Sequence, residues 1–382
     1  MQSNRVRRTS HALGGLWRTA TAISALLLTF ACGSEFDSIS QLEGLRVMAV
    51  QKDHPYAKPG EKVELQMLYH DTGVRKAGQA EGPARPVSIV WLSGCVNPPS
   101  DLYALCLQFY RQAFSAAGVD GSLSDLNAAQ AGQLLMVAQR LGIGFGQGDK
   151  FELTVPHDII SSHPPSNDPK QPPYGLNYVF FAACAGELRF DSKGDFPVAC
   201  YDAQGKQLGA RDFIAGYTGV YSYESIGNDN PVILGLDVAG KAVPAERLCI
   251  GTACEPLPSD PKRKCAADDP VVKRCKDPDN TGSCAKLALK VKVDPKSVEP
   301  DGTLTLRQGS LVQEQMWSNF HTDRGKFTHD VALVNDTTTG FNKKPETDYL
   351  APSVAGPAQI WAVVRDNRAG VQWARTQVCV KD

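Results

Sequence analysis

Short apolar or alternating runs punctuate the first half of the chain: LRVMAV (45–50), KVELQMLY (62–69), VSIVWLSG (87–94), KFELTV (150–155) and LNYVFFAACA (176–185), each bounded by Pro, Gly or Asp. A period of two over four to eight residues predicts β-strands. The second half repeats the pattern in LGLDV (234–238), LALKVKV (287–293), EQMWSNF (314–320) and AQIWAVVRD (358–366), with a hairpin turn predicted at Asp366–Gly370. Helical periodicity is confined to Leu102–Ala116 and Ser124–Leu141, the latter with Ser124 as N-cap and Gly142 as stop. Both helices fall between strands, so they read as an insertion, 100–141, on an all-β framework. Segment 161–173, SSHPPSNDPKQPP, is too proline-rich to donate to a ladder and predicts a loop. The glycine-rich GIGFGQG (142–148) follows a helix rather than opening one, so it lacks the strand-before, helix-after setting of a phosphate cradle and also reads as a loop.

The two halves share a plan. LRVMAVQKDHPYAKPGEKVELQ (45–66) parallels LALKVKVDPKSVEPDGTLTLR (287–307): an alternating strand, a break with Pro then Gly, and a second alternating strand. A tryptophan-bearing strand follows in each copy, with Trp91 and Trp317, and a long apolar strand lies near each unit's end. Two copies of one plan predict two domains, placed at 45–227 and 228–382. The second would carry a Cys-rich insertion at 249–285, or that stretch is a stapled linker; it is poor in apolar residues and held by disulfides rather than by a core. This plan resembles the immunoglobulin-like and PKD-like β-sandwiches of bacterial surface proteins, most fully over 287–382 through VDPKSVEPDGTLTL, MWSNFHTDRGKF and the closing strands with their AP…G entry. The resemblance implies two immunoglobulin-like sandwiches in tandem and no particular activity. A sandwich needs a large anchor between its sheets, and Trp91 and Trp317 are the expected anchors. Trp361 and Trp373 flank the last hairpin and are open to either role, core or an exposed platform for a sugar.

The N-terminus has a different character. Residues 1–18 carry Arg5, Arg7, Arg8 and Arg18 and no acid, and Thr19–Ala31 carries no charge. This is the layout of a secretory signal, and its apolar run is shorter than the roughly 20 residues a spanning helix needs. The run ends on Cys32. The segment resembles a bacterial lipobox, with Thr29 and Phe30 where that motif favours Leu and a small residue. The resemblance implies a signal peptide at 1–31, lipid attachment at Cys32 and a flexible tether over 32–44. The expected location is the bacterial cell envelope, lipid-anchored to a membrane.

Charge and cysteines narrow the rest. The chain has 40 Lys+Arg and 41 Asp+Glu, and losing the four arginines of 1–31 leaves 36 against 41, a net −5. The densest basic spot, KRK at 262–264, is followed at once by DD at 268–269; nucleic acid is not an expected partner. Beyond Cys32 stand Cys95, Cys106, Cys184, Cys200, Cys249, Cys254, Cys265, Cys275, Cys284 and Cys379, an even number. In an exported chain that predicts disulfides. Proximity favours Cys95 with Cys106 and Cys184 with Cys200, and Cys284 and Cys379 flank the last unit closely enough in the plan to tie its ends. The spacings from Cys249 to Cys284 include no CxxC and no nearby His, which argues against zinc on these thiols. There is no GxSxG, HExxH, GxxxxGK[ST] or HxH. His321 and His329 bracket a turn, and Asp323, Asp330 and Asp336 beside them lack the DxDxDG order of a calcium loop. The expectation is a non-enzymatic envelope protein, with no cofactor or metal, that binds other envelope proteins or glycan. The alternative is a secreted carbohydrate-active or other hydrolase, or a glycan-binding protein, with its site in the helical insertion. An exposed apolar face on the insertion would favour the first; two close carboxylates in a pocket, or a His beside a Ser, would favour the second.

Overall fold

The computed structural model describes residues 40–382 except 76–80, 117, 119–120, 123–127, 192–193, 195, 278–281 and 283. The architecture is mainly β, built as several sheets. In the first half, β1 (Leu45–Lys52), β2 (Lys62–Asp71) and β5 (Lys150–Thr154) form one antiparallel sheet in the order β1-β2-β5. A second sheet contains β3 (Ser88–Val96), β4 (Gly144–Gln147), β6 (Gly175–Cys184) and β9 (Phe213–Ser222), ordered β9-β6-β3-β4, with Tyr56–Ala57 at its far edge. Leu45, Val63, Leu65, Met67, Phe151 and Leu153 of the first sheet meet Trp91, Val179, Phe181 and Val220 of the second in one core.

The second sheet is covered on its other face too. Helix α1 (Tyr103–Ala116), helix α2 (Ala128–Leu141), β7 (Glu187–Phe190) and β8 (Val198–Tyr201) lie against it, and Tyr110, Phe114, Leu188, Phe190 and Val198 pack on Leu92, Tyr178 and Phe180. Strand β6 is therefore buried along its whole length, which is why its sequence is a continuous apolar run rather than an alternation. Disulfides fix the cover: Cys95–Cys106 ties β3 to α1, and Cys184–Cys200 ties β6 to β8.

In the second half, β10 (Ile233–Val238), β11 (Lys286–Val293) and β14 (Glu346–Leu350) form one sheet. The other is β16 (Val371–Lys381), β15 (Gly356–Asp366), β12 (Met316–Thr322) and β13 (Val331–Asp336), in that order. Leu236, Leu289, Val291 and Tyr349 face Met316, Phe320, Ile360, Val364 and Val378 across a shared core. The β15–β16 hairpin turns where the Pro-free DNRAG stretch predicts it.

The opposite face of β15 and β16 is not free. Trp361, Val363, Val371 and Trp373 pack against Leu42, Met48, Ala49 and Leu68 of the first half. Polar contacts reinforce this seam: Gln51 Nε2 donates to Val371 O at 2.7 Å, Asn230 Nδ2 to Lys52 O at 2.7 Å, and the Arg368 guanidinium lies 5.8 Å from the centre of the Tyr56 ring. The described residues from 40 to 382 thus pack as one unit.

The structure departs from the sequence reading at definite places. The second strand expected over 303–307 is a helix, α3 (Gly302–Gln308). Asp301 caps it, its carboxylate accepting from Leu304 N at 2.9 Å, and Gly309 closes it in the left-handed conformation at φ 72°. Two good caps override a short alternation. The expected loop 142–148 contains β4, an edge strand on β3. Its Gly146 lies so close to Phe151 that a Cβ would sit 2.4 Å from the ring, so glycine here serves close packing. Trp317 is not a core anchor: Met316, Ser318 and Phe320 take the inward positions, and the two-residue period turns Trp317 to the other face, half-buried. Trp361 and Trp373 are fully buried in the seam, so they offer no platform for a sugar. Residues 40–44, assigned to the flexible tether, are docked. Leu42 is buried, its N–H donates to Thr322 O at 2.8 Å, and Thr322 N donates back to Ser40 O at 2.8 Å.

Candidate functional site

Cys32 and the signal segment lie outside the described residues. The ten later cysteines form five pairs, the two already named plus Cys249–Cys254, Cys265–Cys379 and Cys275–Cys284. The expected Cys284–Cys379 link is therefore replaced. Val271–Lys273 runs parallel to the end of β16, which carries the Cys-rich segment along that strand and brings Cys265 to Cys379. Cys284 instead closes a short loop with Cys275.

Two places concentrate chemistry. The first is the outer edge of the helical insertion. Asn97, Ser100 and Asp101 all adopt positive φ, at 46°, 57° and 54°, a strained conformation for residues with a Cβ. The strained turn is held from several sides. Asn97 Nδ2 donates to Ile159 O at 2.7 Å and to Ser162 Oγ at 3.0 Å, and Asn97 Oδ1 accepts from Leu176 N at 2.8 Å. Asp101 accepts from the Tyr174 hydroxyl and lies 3.0 Å from His163 Nε2, and its backbone oxygen accepts from Tyr178 OH at 2.9 Å. Burial, then the Asp101 carboxylate, push the Tyr174 phenol well above its ordinary range, so it stays a neutral donor. Burial also pushes Tyr178 up to about 12. His163, Tyr174 and the proline loop line a cavity of about 250 Å³. The serines near the imidazole make other bonds: Ser162 Oγ donates to Ile159 O and Ser166 Oγ to Gln171 Oε1. A carboxylate shared by a phenol and an imidazole positions both rings; it does not by itself activate a nucleophile.

Apolar and aromatic side chains are exposed on the insertion and on the neighbouring β9. Leu102, Tyr103 and Tyr217 are 55%, 42% and 44% exposed, and Met136 of α2 is 64% exposed. Tyr103 of α1 and Tyr217 of β9 stack with ring centres 4.1 Å apart. The arrangement follows from phase: α1 turns Cys106, Tyr110, Ala113 and Phe114 inward, which leaves Tyr103 at the rim.

The second place is in the seam. His70 closes β2, Glu81 follows the loop after it, and Asp323 follows β12; all three are buried, and one ligand-type atom from each lies within 4.8 Å of the others. His70 Nδ1 lies 3.0 Å from Leu257 O, and its ring packs 4.9 Å from that of Trp361. Glu81 accepts from Arg263 Nη1 at 2.8 Å and from Asp260 N at 2.5 Å. Asp323 Oδ1 accepts from Gln359 N at 2.8 Å. Burial lowers His70 to about 4, with Glu81 opposing. Burial, then the nearby Glu81, pushes Asp323 well above the ordinary carboxylate range. Sequence reading singled out Asp323, grouped with Asp330 and Asp336. The structure separates that set: Asp336 sits in an exposed turn, accepting from Thr338 N and Thr339 N at 2.9 Å each. His70 and Glu81 were missed, since no local spacing links them to a residue 253 and 242 positions on.

No family model matches the chain, and no curated protein matches it. Among solved structures it is similar to E. coli alpha-2-macroglobulin activated by porcine elastase, at 10% identity and a TM-score of 0.19, over 92% of this chain and 23% of that one. A Salmonella alpha-2-macroglobulin mutant gives 10% identity and 0.18, over 91% of this chain and 17% of that one. The native conformation of the E. coli protein gives 10% and 0.16, over 89% and 16%. The chain thus spans less than a quarter of the length of these proteins, and superpositions this loose assign neither a fold family nor an activity.

Proposed function

We propose that this chain is a non-enzymatic, lipid-anchored protein of the bacterial cell envelope, made of two immunoglobulin-like sandwiches that present the helical insertion to a protein partner. The observation that carries the location is the cysteine arrangement. All ten cysteines beyond Cys32 pair with one another, which suits an oxidising compartment. Cys32 is the one left over, directly after a short uncharged run. Three acyl chains there would hold the protein stably, where a single chain would not. The binding role rests on Leu102, Tyr103 and Tyr217, an exposed apolar and aromatic group of the kind that marks contact surfaces.

Cell fractionation tests the anchor. The Cys32→Ala chain is expected in the soluble fraction and the native chain in the membrane fraction; a variant that stays with the membrane defeats the reading. The stacked Tyr103–Tyr217 pair also favours a second reading, glycan binding, because a phenol stack offers a flat apolar face to a sugar ring. Sedimentation with purified cell-wall glycan separates the two. Retention lost in a Tyr103→Ala/Tyr217→Ala variant supports glycan; no retention of the native chain supports a protein partner.

A further inference from the structure

We propose that His70, Glu81 and Asp323 bind one divalent metal ion of the zinc class, which clips the two halves of the molecule together at their seam. The tautomer of His70 is fixed by its neighbour. A carbonyl oxygen only accepts, so the ring nitrogen 3.0 Å from Leu257 O must carry the proton. The lone pair is then on Nε2, which is buried and has no protein partner. A histidine whose far N–H is held by a backbone carbonyl has the outer-shell arrangement usual for metal ligands.

The carboxylates point the same way. Asp323 is wholly buried; Oδ1 is engaged by Gln359 N, while Oδ2 has no partner. Glu81 keeps lone pairs beyond those used by Arg263 and Asp260. A ring lone pair and two carboxylates crowd within 4.8 Å in a buried place. Two guanidinium groups border the cluster, Arg263 paired with Glu81 and Arg75 donating to the backbone oxygen of Asp323, but the buried His70 Nε2 and Asp323 Oδ2 have no partner from either and are left for a further cation or a proton. One imidazole nitrogen and two carboxylate oxygens suit zinc or a similar first-row ion, while calcium and magnesium take oxygen ligands alone. Bonds of about 2.0–2.1 Å would need only a modest inward movement of the three side chains.

The location gives the ion a purpose. His70 and Glu81 belong to the first half and Asp323 to the second. The supporting contacts, Leu257 O, Asp260 N and Arg263, come from the disulfide-bonded segment between Cys254 and Cys265. That segment thereby acts as the outer shell of the site. The competing occupant is a proton shared between Glu81 and Asp323, and it differs from the ion in a measurable way.

The test uses the full chain purified without chelator. Its metal content is measured by mass spectrometry, and its thermal midpoint is followed on adding EDTA and then zinc. The expected result is about one equivalent of zinc or another first-row ion per chain, a midpoint lowered by several degrees on chelation and restored by zinc. His70→Gln and Asp323→Asn should lose the metal while all five disulfides still form. A folded native chain that takes up no metal at micromolar free zinc, with a midpoint indifferent to EDTA, overturns the proposal and leaves the shared proton. So does wild-type zinc affinity in both variants. If the variants do not fold, the metal content and EDTA response of the native chain decide alone.

Discussion

Each half contains strands apolar on both faces, β6 beside β3 in the first and β15 beside β16 in the second, and the two are covered differently. The outer side of β6 is closed by the half's own insertion, through Tyr110 and Phe114 of α1 and the β7–β8 ribbon. The outer side of β15 is closed by the other half, through Leu42, Met48, Ala49 and Leu68. The outer face of β6 is thus closed from within its own half, whereas the outer faces of β15 and of the β1–β2 sheet are closed only by each other. The tryptophans report the same contrast: Trp91 donates its indole N–H to Gly148 O at 2.7 Å, while the Nε1 groups of Trp361 and Trp373 are buried without a partner. The seam is held by packing and by side chains that bond the backbone across it, the amides of Gln51 and Asn230 and the guanidinium groups of Arg75 and Arg365, rather than by aromatic hydrogen bonds.

The largest expected effect comes from opening that seam. Trp373→Ala should cost about 3–5 kcal/mol, as for other buried large aromatics, and should lower the unfolding of both halves in urea. A loss confined to one transition would show that the halves stand independently. Next come the crosslinks. Cys265–Cys379 closes a separation of 114 residues and Cys95–Cys106 one of 11. On chain-entropy grounds, removing the first by paired serine substitution should cost about 2 kcal/mol more than removing the second. Equal losses would place the second half's stability elsewhere.

Buried charges give the halves opposite pH responses. In the first half, burial lowers Lys52 to about 8 from 10.5, with its ammonium donating to Gly219 O at 2.9 Å. The folded chain then binds fewer protons than the unfolded chain between those values, so this group makes stability rise with pH from about 8 to 10.5. In the second half, burial raises Glu314 to about 7 from 4.5, against the pull of Arg368. Its contribution is fully present below 4.5 and is lost as pH rises through about 7. Thermal midpoints across pH should lose the alkaline rise in Lys52→Met and the acidic-to-neutral fall in Glu314→Gln; unchanged profiles would contradict the assignments. The smallest effect is at Trp317. It is half-buried on the outward face of β12, and its replacement by Ala should cost well under that of Trp373.

What was legible in the sequence follows from how local the cause was. LNYVFFAACA reads as a strand because burial on both faces leaves no polar position to blur it, and α1 reads as a helix from its own periodicity. TLTLR misled because its fate is set by Asp301 before it and Gly309 after it, which together outweigh five alternating residues. The Trp317 strand was visible, but alternation alone does not say which face meets the partner sheet. The seam and the His70–Glu81–Asp323 group were invisible for a different reason. Their members come from segments far apart in the chain, and only docking of the two halves brings them together.

The central claim is that Cys32 carries lipid outside the cytosol while the other cysteines are oxidised in pairs. The most direct measurement is the intact mass of the native purified chain, taken before and after reduction and alkylation. The account predicts a chain that starts at a lipid-modified Cys32 and takes up alkyl groups on Cys95 through Cys379 only after reduction. A chain starting at Met1, or one alkylated at several of those cysteines without reduction, would contradict it.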